Sequence, residues 1–332
     1  YYRELPKLAN GEFAGYPRIY AIAISIIAHT DSRLDVEALE RFLRSYQAVT
    51  PLTIGELWAI AITLRIVLIE NLRRFAWRII QSRDAREEAE KLADELMEIA
   101  GKRPEEVLQF VTQHLDKRTE FETAFVERFT CQLRDRDLAI APAYEWLANK
   151  LQERGSSIEM SVETEYQLQA VAQVTVGNII TSMRLLSTID WRTFFESVSL
   201  IDPLFSKDPA KIYSKMTFGT RNRYREVVER IARRTKVDEL KVARKVVEKS
   251  LASRRRDASD RRRSHIGFYL IDKGVSEIEK EFQYRPEIAE KAVFFILRHP
   301  TFSYLGSTAV LTALVVLLLA YSSAYLGAGL PL

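Results

Sequence analysis

The run from Phe302 to Leu326, FSYLGSTAVLTALVVLLLAYSSAYL, constrains this chain more than any other, because no charged residue follows Arg298 and His299. At about 1.5 Å per residue, a helix of this length covers the roughly 30 Å of a bilayer's hydrocarbon core. From Ala309 to Ala320 it is nearly all Leu, Val and Ala, and Tyr304, Tyr321 and Tyr325 fall toward the ends, where amphipathic rings settle at the headgroups. It reads as a transmembrane helix. Lys280, Arg285, Lys291 and Arg298 precede the span and nothing basic follows it, which places residues 1–300 on the cytoplasmic side. The chain opens on YYRELPKL without a methionine and closes on GAGLPL, so it is expected to be a piece of a larger membrane protein.

The residues upstream suffice for one or two compact domains. With only 12 Gly and 10 Pro in 332 residues, and with Ala, Leu, Ile, Glu and Arg dominant, they point to helices. The predicted fold is all-α: a multi-helix cytoplasmic bundle followed by a C-terminal transmembrane helix. Its expected parts are a helical bundle domain at 1–220, a basic helical membrane-proximal region at 221–300 and the span at 302–326. Cys131, the single cysteine, excludes an internal disulfide and a cysteine metal cluster, and reads as a small packed core residue. The apolar run from Tyr20 to Ala28 is too short to span and does not read as a cleavable signal.

Asp35 caps DVEALERFLRSYQAV, whose Leu39, Phe42, Leu43 and Tyr46 share one stripe. Thr53 and Glu56 form a capping box that opens a long helix at Ile54, apolar on nearly every face as far as Ile69, the mark of a central bundle helix. From Arg73 the pattern is polar, with opposite charges three and four apart until Gly101, and reads as a solvated face. Within the apolar part Arg65 and Glu70 stand out, since a buried charge costs several kcal/mol unless it is paired. Five residues set Glu70 about 140° from Arg65 round the axis. Arg65 is therefore expected to meet carbonyls or a carboxylate from another segment, with Glu163, Glu165, Asp190 and Glu196 the nearest acids by pattern.

A second long helix runs on from Ser161, mixing Ala, Val and Gly with Gln, Asn and Thr, so it packs closely and partly through hydrogen bonds. Asp190 caps the WRTFFESV that follows. Arg65, Glu70, Arg184, Asp190, Trp191 and Glu196 are the candidates for structural pairing or for docking a further module. The triplet Asp135-Arg136-Asp137 imitates a metal-binding D-x-D, but such a motif sits on a loop after a buried strand, and no strand pattern precedes this one. Without a Gly-rich phosphate loop, His/Cys metal spacing or nucleophile motif, no catalytic, cofactor-binding or metal-ligating residue is assigned.

Between Arg221 and Arg263 there are 17 Lys and Arg against 7 Asp and Glu, while the whole chain has 49 against 45, so the remainder is net acidic. Two amphipathic helices lie here, expected to bury Tyr224, Val227, Val228 and Ile231 on the first and Leu240, Ala243, Val247 and Leu251 on the second. RRRDASDRRR, residues 254–263, reads as a mobile basic loop. A basic stretch this close before a cytoplasmic membrane face suits anionic lipid as well as or better than nucleic acid, and Arg254, Arg255, Arg256, Arg261, Arg262 and Arg263 are the membrane-surface candidates. HIGFYLIDKG reads as a strand-like run ending in an Asp-Lys-Gly turn, and PEIAEKAVFFILRH as a helix leading into the span.

Four stretches, LTIGELWAIAITLRIVLIENLRR, NIITSMRLLSTIDWRTFFESVSLID, TRNRYREVVERIARR and HIGFYLIDKG, together resemble the N-terminal region of bacterial cyclic β-1,2-glucan synthases, and the resemblance extends over essentially the whole chain. It implies a very large enzyme of the bacterial inner membrane with several spans. A cytoplasmic glycosyltransferase module would polymerise glucose from UDP-glucose with a divalent metal on a protein-bound intermediate, which is then cyclised. A C-terminal phosphorylase-like region would set glucan length. That family's transferase signatures, D-x-D-type acids on strands and a Q-x-x-R-W helix, are not in this chain, so no cofactor is expected within it. The piece in hand would be a helical domain that braces the transferase module. Its implied partners are that module, the other spans of the polypeptide and anionic inner-membrane lipid, with no nucleic acid. The alternative reading is a membrane-tethered helical binding or signalling protein that uses 221–263 on anionic lipid or nucleic acid.

Overall fold

The computed structural model describes residues 4–115, 121–134, 140–285 and 299–327, and regular structure among them is helical apart from one isolated bridge between Lys7 and Pro17. The Asp135-Arg136-Asp137 triplet and the run 286–298 lie outside the described residues. The chain forms two compact units, Tyr1–Asp202 and Pro203–Leu332.

In the first unit, α1 (Arg18–His29) starts after Pro17 and buries Ile19, Ile22, Ala23, Ile26 and Ile27, a three-and-four spacing that makes one face. Helix α2 (Val36–Val49) is capped by Asp35, which accepts from the Ala38 N–H. Helix α3 (Ile54–Lys102) is continuous for 49 residues, about 74 Å. Its capping box is formed as expected: the Glu56 N–H reaches Thr53 Oγ1 at 3.2 Å, and Thr53 N–H reaches Glu56 Oε2 at 2.9 Å. Glu56 is fully buried, and its charge is met by Arg18 at 2.6 and 2.9 Å.

Helix α3 takes part in two separate cores. Its first third, with Ile60, Leu64 and Leu68 buried, packs against α1, α7 (Ile158–Thr188) and α8 (Trp191–Val198). Its last third presents Ala85, Ala89, Ala93, Leu96 and Ala100 to α4 (Val107–Leu115) and α5 (Thr123–Leu133), and α6 (Ala141–Glu153) completes that cluster. Alanine at every fourth position lets the α5 backbone approach closely, and Phe125 and Phe129 fill the remaining space, stacked 5.4 Å apart. Two expectations fail here. Ile62, Ile66 and Ile69 are about half exposed, so α3 is not enclosed on all sides; and Cys131 is exposed, one position past the buried Phe129 and Thr130.

Helix α9 (Ile201–Phe205) carries the boundary between the units. In the second, α10 (Phe218–Thr235) buries Tyr224, Val228 and Ile231, largely as expected. Helix α11 (Glu239–Arg256) buries Val242, Ala243, Val246, Val247 and Ser250, leaving Leu240 half-buried and Leu251 exposed. The face is thus turned by about one residue from the predicted one. HIGFYLIDKG is not a strand: Ile266–Ile271 is a short helix, α12, followed by α13 (Val275–Glu281). Ile266 to Leu270 are all buried, so neither a two- nor a 3.6-residue period could show in the pattern. The last helix, α14 (Pro300–Gly327), contains Thr301–Ser322, a segment of mean hydropathy 2.1 with none of it buried, long and apolar enough to cross a membrane.

Candidate functional site

An α-helix leaves its last four carbonyls without internal partners. At the end of α7, Leu185 O accepts from the Ile189 N–H at 3.2 Å, and Leu186 O accepts from two side chains, Arg65 Nη2 at 2.7 Å and Trp191 Nε1 at 3.1 Å. The guanidinium therefore sits where the helix dipole favours a cation. The next helix begins at once, with Asp190 accepting from the Arg192 N–H at 3.1 Å and from Thr193 Oγ1 at 2.7 Å. Those bonds, that of Thr193 first, hold the Asp190 carboxyl below its usual range. Trp191 meets the edge of Phe194 at 5.3 Å.

The corner thus assembles Arg65, Asp190 and Trp191 from the six docking candidates. Arg65 pairs with a carbonyl and with none of the four acids weighed for it. Glu70 points elsewhere and pairs locally with Arg73, at 2.8 Å to each oxygen, and with Arg74; these bonds, those of Arg73 first, draw its pKa down to about 2. Arg184 is exposed on α7, and Glu196 is half-buried on α8.

Between the two cores, residues 72–84 of α3 and 166–174 of α7 are exposed or half-buried, because among the described residues no other element covers them. A cavity of about 700 Å³ opens there, with Phe75, Ile79, Leu168, Val171 and Val176 among its apolar lining. At its polar end Glu165, 2% exposed, accepts from Arg86 at 2.5 Å, Thr123 Oγ1 at 2.7 Å and Gln169 Nε2 at 3.1 Å. This buried acid, weighed above for Arg65, serves Arg86 instead. The sequence reading missed the cavity, since the solvated pattern after Arg73 hides Phe75 and Ile79 among arginines.

The second unit holds a buried polar chain that the sequence reading also missed. Asp208 accepts from His265 Nδ1 at 2.8 Å and from the N–H groups of Ile212 and Ile266 at 3.1 and 3.2 Å; Tyr224 Oη lies 2.9 Å from His265 Nε2. A carboxylate only accepts, so His265 Nδ1 is the donor to Asp208, and Nε2 is bonded to the Tyr224 phenol. Burial works against the Asp208 charge, but His265 and the two N–H groups overcome it and the carboxyl lies below its ordinary value. Burial, with Asp208 behind it, pushes the Tyr224 phenol up to about 12. A Cβ on Gly267 would fall 2.1 Å from Tyr224 Oη and 2.6 Å from His265 Nε2, so only glycine fits. With its pKa raised, the phenol keeps its proton at neutral pH and is a structural hydrogen-bonding group rather than a nucleophile.

Of the basic candidates, Arg254, Arg255 and Arg256 are exposed on the last turn of α11. Arg261 is exposed beyond it; Arg262 is held by Asp272 at 2.7 and 2.9 Å, and Arg263 lies over the Phe268 ring at 5.6 Å. The segment is therefore partly fastened rather than a free loop.

No family model matches the chain. It is 30% identical over 320 residues to the cyclic β-(1,2)-glucan synthase NdvB of Rhizobium meliloti (strain 1021). The match covers 96% of this chain and 11% of that protein, so the chain spans about a tenth of its relative's length. The resemblance read from the four stretches is borne out.

Proposed function

We propose that this chain is a non-catalytic helical domain, with a membrane span, of a cyclic β-1,2-glucan synthase. The observation that carries the reading is the 30% identity held over 96% of the chain, through both units and into the apolar helix. In this reading α14 anchors the domain in the bacterial inner membrane with residues 1–300 cytoplasmic, and the groove between α3 and α7 lined by Phe75, Ile79, Leu168 and Val171 braces the transferase module of the same polypeptide. UDP-glucose and its divalent metal belong to that module. Arg254, Arg255, Arg256 and Arg261 face anionic headgroups, and the other spans of the polypeptide are the remaining partners.

The support for bracing is the surface itself. An apolar groove between two long helices held rigid at both ends suits the burial of another element better than exposure to water. The test is to incubate the purified chain with radiolabelled UDP-glucose and a divalent metal. No glucose transfer is expected, and turnover by the chain alone would overturn the assignment.

A further inference from the structure

Ile62, Ile66, Ile69, Trp77 and Ile80 of α3 are each 46–58% exposed. At 100° per residue they fall within about 80° of arc and make a stripe about 27 Å long. A row of this length exceeds the single surface hydrophobes that a water-facing helix ordinarily carries. The arginines around it have a definite placement: residues 71–83 hold Arg73, Arg74, Arg78 and Arg83 and no carboxylate, while Glu70 and Asp84 bracket them. Arg73 lies in the stripe, and Arg74 and Arg83 flank it; Glu70 at the stripe's edge holds Arg73 and Arg74 by part of their guanidinium N–H groups, and the rest are open to phosphate oxygens. Isoleucine and tryptophan in one row with arginines at its margins is the composition of a helix lying at a lipid–water boundary, where long cationic side chains reach the phosphates. An apolar helical segment of 22 residues in the same polypeptide, none of it buried, is long and apolar enough to cross a bilayer, which agrees with a membrane-surface role for the stripe.

We propose that the stripe from Ile62 to Ile80 rests on an anionic bilayer surface, with Trp77 and the isoleucines entering the headgroup boundary and Arg73, Arg74 and Arg83 on lipid phosphates. This contact is separate from the one assigned to Arg254–Arg261. It makes α3 a strut held flat along the membrane. The inference goes beyond the bracing role and needs no transferase module.

The test uses the full chain in vesicles of phosphatidylcholine with or without phosphatidylglycerol, the acyl chains brominated or not. Subtracting the emission of Trp77→Phe isolates Trp77 from Trp58, Trp146 and Trp191. Bromine is expected to quench the Trp77 signal roughly twofold or more in the anionic vesicles, and far less in the zwitterionic ones or in Arg74→Glu/Arg83→Glu. Flotation with equal Trp77 emission in brominated and plain vesicles would overturn the stripe alone. Shielding from iodide without bromine quenching, together with cross-linking between copies, would assign the stripe to a second copy and overturn it too. Failure to float with anionic vesicles would contradict both the span and the stripe.

Discussion

Arg65 and Trp191 donate to one oxygen, the main-chain carbonyl of Leu186, at 2.7 and 3.1 Å. Three helices are joined by this contact: α3 supplies the guanidinium, α7 the carbonyl and α8 the indole. Because either donor alone still satisfies the oxygen, Arg65→Met and Trp191→Phe should each cost about 1–2 kcal/mol. The double variant orphans the carbonyl and should cost more than the sum. Urea unfolding of the four proteins in micelles measures it; strictly additive losses would show that the shared oxygen does not couple them.

The Arg18–Glu56 pair supports the start of α3. Arg18 keeps 18% side-chain exposure and Glu56 none, and the hydrogen bonds Arg18 donates to Glu56, set against burial, raise the Arg18 pKa. Glu56→Gln leaves a buried cation and should cost about 3 kcal/mol, while Thr53→Ala removes only the cap and should cost about 1 kcal/mol. Glu70→Gln, which touches only exposed neighbours, should leave the unfolding midpoint nearly unmoved. The ranking of the three midpoints is the check.

Gly267→Ala should disrupt the Asp208–His265–Tyr224 chain, since the new methyl would occupy the space of the phenol oxygen. Asp208→Asn should cost about 1.5–3 kcal/mol at neutral pH by weakening charge-assisted bonds. The folded pKa of Asp208 lies below its unfolded value, so its contribution is fully present above the unfolded pKa of about 3.9 and is lost as pH falls through the folded one. Wild type and Asp208→Asn should therefore converge in stability only in acid. A gap independent of pH would contradict the charged carboxylate.

The proposed orientation of α14 rests on the basic residues that precede it, Lys280, Arg285, Lys291 and Arg298. A reporter fused after Leu332 should read as periplasmic and one before Arg254 as cytoplasmic. A cytoplasmic signal from the first would contradict a single crossing.

Helix starts were legible because they rest on local chemistry: Asp35, Thr53 with Glu56, and Asp190 each cap where the pattern predicts. The C-terminal apolar helix was legible from length and missing charge. What failed needed tertiary knowledge. Arg65 is expected to seek partners, but a helix-end carbonyl carries no sequence signal to choose it over Glu165. Ile266 to Leu270 are buried on all sides and so lose their period, and the aspartate that receives His265 lies 57 residues away. The α3 stripe is hidden because its exposure depends on where neighbouring helices stop.

The central claim is that this chain braces a glucan-making enzyme without performing the transfer. It is tested most directly in inner-membrane vesicles carrying the whole polypeptide, the polypeptide lacking residues 1–202, or the latter with the present chain supplied separately. The measurement is cyclic glucan made from radiolabelled UDP-glucose. Synthesis should be lost on deletion and restored in part by the added chain; undiminished synthesis by the deleted polypeptide would contradict the account.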